Sequence, residues 1–222
     1  MTDHAEILRG LYEETLVGNR PRVLELTNEG LACGLSPESM LFDALIPSLE
    51  EVGARFERGD FFVPEMLVAG KAMSGALDIL RPLLAETGAQ TVGTFLMSTV
   101  KGDVHDIGKN LVNIMFEGAG FEVIDLGVQV APEKFVEKIQ EHQPDIVGFS
   151  AFLTTTMPMF KANINALQKA GLRDQVIVMV GGAPVTQEYA DAVGADGYAA
   201  DASTAVRKAK ELLAARRAAV GV

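Results

Sequence analysis

Asp103-Val104-His105-Asp106-Ile107-Gly108 places one histidine between two carboxylates within six residues. A histidine can bind a metal through one ring nitrogen while the other is held by a carboxylate, which fixes its tautomer and orientation. The apolar run 94–100 comes just before, and a helix-like stretch, 110–116, comes just after. His105 therefore falls on the loop at the carboxyl end of a strand, where open parallel sheets bind their ligands.

Two further segments lie at the ends of later strand-like runs. The first is Ser150-Ala151-Phe152-Leu153-Thr154-Thr155-Thr156, with 41 residues between Gly108 and Ser150. The second is Gly181-Gly182-Ala183. The glycines permit close approach of backbone or of a bulky ligand. Asp103 can accept the proton on the far nitrogen of His105, or it can cap the helix that follows. Gly181-Gly182 also fits a plain strand-to-helix turn, and 154–156 a polar strand end.

The elements that must position these residues change character along the chain. Before residue 85, apolar residues recur at helical spacing, for example Leu41, Leu45, Leu49, Val52 and Phe56. The pattern predicts four helices, near 3–17, 20–33, 37–57 and 64–85, packed as a small bundle. Ser36-Pro37 resembles a helix cap with a first-turn proline, and Val63-Pro64-Glu65 another helix start. Pro47 is expected to kink the third helix. Cys33, the single cysteine, is expected to pack inside the bundle.

After a short link, 86–90, strand-like runs at 92–98, 121–126, 145–150, 175–180 and 196–199 alternate with helical ones. Five such units predict an α/β fold with a doubly wound parallel sheet of flavodoxin-like strand order 2-1-3-4-5. The expected domains are a helical bundle over 1–88 and a Rossmann-like domain over 89–222.

The composition excludes several classes. The 222 residues carry 19 Lys+Arg against 30 Asp+Glu, for a net charge of −11, and no basic run is longer than Arg216-Arg217. A nucleic-acid surface needs a positive stripe, so no nucleic-acid partner is expected. One cysteine rules out an internal disulfide or a multi-cysteine metal site. No segment approaches the roughly 18 uninterrupted apolar residues of a membrane span, and the amino terminus lacks an apolar secretory core. The expectation is a cytoplasmic protein that does not enter the membrane.

The DxHxxG pattern, the later Ser-x-Phe and Gly-Gly segments and the preceding bundle together closely resemble corrinoid methyl-transfer proteins. The likeness is to the cap and cobalamin-binding domains of methionine synthase and to the small corrinoid proteins of methylotrophic methyltransferase systems. It implies a cobalamin or related corrinoid whose cobalt is ligated by His105, with states corresponding to methylcob(III)amide, cob(II)amide and cob(I)amide. It implies that the cofactor's nucleotide tail runs down a slot beside the sheet. The resemblance assigns Gly102, Asp103, Val104, His105, Asp106, Ile107 and Gly108 to the cofactor. To these it adds Ser150, Phe152, Leu153, Thr154, Gly181, Gly182 and Ala183, and Ala202 at a turn near the corrin edge. The catalytic set is Asp103, His105 and Thr156, with the hydroxyl of Thr156 bonding Asp103. This set is expected to take up a proton when the methyl group leaves. Phe152 stands where the family has leucine, and a larger ring there is expected to reshape the tail slot.

By the same resemblance, Phe56, Phe62, Val63 and Met66 form an apolar cap over the upper face of the cobalt, with the link 86–91 as hinge. The implied function is a methyl carrier, not a complete enzyme alone. Its implied partners are a substrate:corrinoid methyltransferase, a methylcorrinoid:acceptor methyltransferase and a reductive activator. The donor would be an O- or N-methylated compound, such as a methylamine or a methoxylated aromatic, and the acceptor a thiol or tetrahydrofolate. A cobalamin-dependent regulator or sensor is the main alternative. The small subunit of an adenosylcobalamin mutase and a flavodoxin-like protein without corrinoid are the others.

Overall fold

Helical periodicity gives way to strand and helix alternation just after residue 90, and the chain divides there into two units. The computed structural model describes residues 3–87 and 91–220, with only the backbone at 85–87 and 220. One unit comprises Met1–Val92 with Ile114–Phe121, and the other Gly93–Asn113 with Glu122–Val222. Of the link named as hinge, residues 88–90 lie outside the described residues.

The helical unit is built from α1 (His4–Leu16), α2 (Arg20–Ala32), α3 (Pro37–Met40), α4 (Ile46–Glu57) and α5 (Val63–Thr87). Buried residues recur on one face of each: Ile7 and Leu11 on α1, Val23 and Leu26 on α2, Leu49 and Val52 on α4, Met73 and Leu80 on α5. Ser36 caps α3 by accepting from the Ser39 N–H, with Pro37 in the first turn. The carboxylate of Glu65 reaches back to the Phe62 N–H at the start of α5.

Three expectations for this unit need correction. The helix expected over 37–57 is interrupted by a π turn, Leu41–Leu45, immediately before Ile46-Pro47. Proline has no N–H and crowds the carbonyl four residues earlier, and the wider turn relieves both conflicts. Cys33 is exposed, not packed inside: it ends α2, and its Sγ–H donates to the Gly30 carbonyl at 3.3 Å. Glu86 and Thr87, expected in the link, continue α5, which also carries Pro82 in its interior.

The second unit is a five-stranded, wholly parallel sheet in the order 2-1-3-4-5, as the alternation predicts. Its strands are β1 (Thr94–Thr99), β2 (Glu122–Asp125), β3 (Ile146–Ser150), β4 (Ile177–Gly181) and β5 (Gly197–Ala199). The crossover helices are α6 (Ile107–Gly118), which from Ile114 onward groups with the first unit, α7 (Pro132–His142), α8 (Pro158–Lys169) and α9 (Gln187–Val193), and α10 (Ala202–Val220) follows β5.

β1, β3 and β4 are buried nearly throughout, so they read as unbroken apolar runs, as the central strands of a covered parallel sheet do. The core gathers Leu96, Val147, Phe149 and Val178 from the strands with Phe135, Ile139, Phe160 and Leu167 from α7 and α8. Among the described residues, no helix is long and apolar enough to cross a membrane.

Register settles what the segments at the strand ends have in common. Thr99, Ser150, Gly181 and Ala199 form one row across β1, β3, β4 and β5, at the carboxyl end of each strand. The three marked segments therefore leave the sheet side by side.

Candidate cofactor site

The loop after β1 is held by its own backbone before any side chain acts. The Asp103 N–H donates to the Val100 carbonyl, and the Gln129 N–H donates to the Asp103 carbonyl, both at 3.1 Å. Gly102 supplies the positive φ, +85°, that the turn requires. The Thr99 hydroxyl, at the end of β1, donates to the His105 carbonyl at 2.9 Å.

Asp103 is completely buried and organises the rest. Its Oδ1 accepts from the His105 backbone N–H at 3.0 Å and meets His105 Nδ1 at 3.1 Å. Its Oδ2 accepts from the N–H groups of Phe152 at 2.7 Å and Leu153 at 3.2 Å, and lies 2.9 Å from the Thr156 hydroxyl. That hydroxyl also stands 2.8 Å from the Leu153 carbonyl, and its single proton can serve only one of the two acceptors at a time. Burial pushes the carboxyl upward, but the His105, Phe152 and Leu153 N–H groups and the Thr156 hydroxyl together outweigh it. They hold Asp103 well below the usual carboxylate range.

This settles the tautomer of the neutral imidazole. An ionised carboxylate can only accept, so the proton of His105 sits on Nδ1 and Nε2 keeps its lone pair. Among the described residues, Nε2 has no hydrogen-bond partner, and the side chain is 47% exposed. One face of the imidazole is covered by the ring of Phe152, with centroids 4.1 Å apart and planes 26° apart.

The surroundings fit a large, flat, metal-bearing group. Among the described residues, no cluster of three or more His, Cys, Asp or Glu side chains could cage a metal ion. Around His105, Val104, Ile107, Val128, Phe152 and Leu153 are exposed large apolar side chains, with Ile107 at 65% and Phe152 at 51%. Apolar residues concentrated on one rim mark a binding surface better than scattered ones do. A Cβ on Gly108 would meet nothing within 4 Å, so the space beside it is open.

The structure brings Gly102–Gly108, Ser150–Thr156 and Gly181–Ala183 to one edge of the sheet, with Ala202 at the carboxyl end of β5. Ala202 is buried in the first turn of α10, where Asp201 accepts from the Thr204 N–H. Thr154, Ala183 and Asp106 are exposed, and Ser150 is half-buried. The cap residues belong to the helical unit: Met66 is completely buried, Phe56 and Val63 are half-buried, and Phe62 is 65% exposed.

Gly182 makes the tightest approach in the loop after β4. Its φ is +125°, and a Cβ there would stand 1.9 Å from the Ala151 carbonyl oxygen. Because the obstacle is backbone, it cannot swing aside. Gly182→Ala is expected to cost about 3 kcal/mol in urea unfolding. A change below about 0.5 kcal/mol would show that the loop relaxes freely.

Sequence reasoning missed Thr99, the Phe152 and Leu153 N–H groups, and Lys109. Lys109 is buried, and its Nζ reaches Asp125 Oδ2 at 2.5 Å and Asn110 Oδ1 at 2.6 Å, tying α6 to the end of β2. A hydroxyl closing an apolar strand was the available signal for Thr99. Backbone donors leave no mark in a sequence.

The site thus sets a carboxylate-backed imidazole on the rim of a flavodoxin-like sheet, with exposed apolar side chains around it. Residues 93–207 match the B12 binding domain, and residues 7–81 match a second family that also bears the description B12 binding domain. The chain belongs to the B12-binding corrinoid protein family, and its cofactor is a cobalamin or related corrinoid.

It is 47% identical to dimethylamine corrinoid protein 1 of Methanosarcina acetivorans, over 81% of this chain and 85% of that one. It is 43% identical to the trimethylamine corrinoid protein of Methanosarcina barkeri, over 85% and 88%. Among solved structures, a chain of the methanol:cobalamin methyltransferase complex of Methanosarcina barkeri superposes with a TM-score of 0.83 at 27% identity, over 94% of this chain and 80% of that one.

Proposed function

We propose that this chain carries a methyl group on its corrinoid between two methyltransferases, taking it from a methylated amine and delivering it to a thiol or tetrahydrofolate-type acceptor. The observation that carries the reading is the imidazole of His105 on the rim of the sheet, held at Nδ1 by a buried carboxylate and, among the described residues, unpartnered at Nε2. The dimethylamine and trimethylamine corrinoid proteins among its relatives support an amine donor over a methoxylated aromatic.

When bound, the corrinoid supplies a cobalt centre to which a methyl group can be transferred and from which it can be removed. His105 would hold the cobalt through Nε2, while Asp103 keeps the Nδ1 proton in place and Thr156 helps hold Asp103. Asp103, kept ionised, would have no proton of its own to give, so Nδ1 would remain the donor and Nε2 the free lone pair. Gly108, Ser150, Gly181 and Gly182 would line the path of the nucleotide tail. Val104, Ile107, Leu153 and Phe152 would exclude water. The cap role of Phe56, Phe62, Val63 and Met66 rests on the family resemblance. The partners proposed are the two methyltransferases and a reductive activator, and the chain alone completes no turnover.

The test is to load the protein with hydroxocobalamin, reduce it, and add a methylamine-specific methyltransferase with isotopically labelled amine. Label is expected on the protein-bound corrinoid and only when that enzyme is present. Label accepted only from a methoxylated aromatic system would move the donor. Failure with both, together with a light-dependent change of oligomeric state in the adenosylcobalamin-loaded protein, would favour a sensor.

A further inference from the structure

We infer that Phe152 is a positioning residue for the axial histidine, acting through His105 rather than by reshaping the tail slot; this rests on the reading that His105 ligates the cobalt. Two observations meet here. The ring of Phe152 lies on the imidazole at 4.1 Å and 26°, and the backbone N–H of the same residue donates to Asp103 at 2.7 Å, the carboxylate that meets His105 Nδ1.

A hydrogen bond at one corner of an imidazole fixes that corner but leaves the ring able to rock about it. A flat group against the ring face removes the rocking. Asp103, His105 and Phe152 thus close a triangle: carboxylate to Nδ1, ring to ring, and backbone back to carboxylate. The direction of Nε2 is then set before any ligand arrives, so less ordering remains to be done on binding. Phe152 is half exposed, so burial of its own surface does not explain its position, whereas the stack does. Leucine would keep an apolar side chain here and lose the flat face.

The experiment compares Phe152→Leu, Phe152→Tyr and the parent, each loaded with reduced, cobalt(II) cobalamin. The readouts are the axial nitrogen splitting in the electron paramagnetic resonance spectrum and the corrinoid dissociation constant. The parent and Phe152→Tyr are expected to show one sharp axial nitrogen pattern and equal affinity. Phe152→Leu should show a partly lost or broadened pattern and a dissociation constant raised about two- to tenfold, the worth of one aromatic pair. Its thermal midpoint should stay within about 2 °C of the parent, as for a partly exposed substitution, which separates positioning from a folding defect.

A leucine variant with the parent's spectrum and affinity overturns the inference while leaving His105 ligation intact, and so does a tyrosine variant as impaired as the leucine one. A parent that shows no axial nitrogen overturns both readings.

Discussion

Asp103→Ala is expected to destabilise the protein by about 4 kcal/mol, the magnitude for removing one partner from a buried charged network. The carboxylate accepts from the backbone N–H groups of His105, Phe152 and Leu153, meets His105 Nδ1 and lies beside the Thr156 hydroxyl. Asp103 is completely buried, so removing its carboxylate would leave these donors short of partners. Asp103→Asn should cost about half as much, since the amide keeps one acceptor oxygen and turns an N–H₂ group toward donors.

The pH dependence follows from the sign of the shift. The folded-state carboxyl is held well below its unfolded value of about 3.9, so it adds stability that is fully present above that value. That contribution is lost as the pH falls from about 4 through the folded value. Urea midpoints measured between pH 5 and pH 2 should therefore fall more steeply for the parent than for Asp103→Asn. Parallel curves would mean that Asp103 is not held ionised.

His105→Gly is expected to remove the axial nitrogen and to raise the corrinoid dissociation constant at least about 100-fold. The yardstick is that losing a group which merely supports a metal ligand already costs 10–100-fold. Free imidazole should restore the nitrogen pattern in the cobalt(II) spectrum, because Asp103 still offers an acceptor for an Nδ1-type proton. The apo-protein should lose only about 1 kcal/mol, as the side chain is half exposed. A variant that keeps the parent's axial spectrum without added imidazole would remove the ligation reading.

Much of this was readable in the residues. Helix starts carry local chemistry: Ser36 caps through its own hydroxyl, and Glu65 reaches back to Phe62, so capping residues mark their positions directly. The strands were visible as apolar runs because a parallel sheet is covered on both faces. The π turn before Pro47 was not visible, since proline announces a conflict with the helix but not how the chain resolves it. Cys33 was misjudged because a small apolar side chain at a helix end can face either way, and only the packing of neighbouring helices decides.

The residue types of the site, an Asp-x-His loop with a glycine pair and a threonine run at later strand ends, were determined by the sequence alone, as was the alternation that makes the sheet. Only the tertiary structure decided which groups meet. The register that aligns Thr99, Ser150 and Gly181, the Phe152 and Leu153 N–H groups on Asp103, and the Phe152 ring on His105 join segments well separated along the chain. The physical reason is that periodicity reports which face of an element is buried, whereas backbone donors and ring stacking depend on coordinates of chains brought together by the fold.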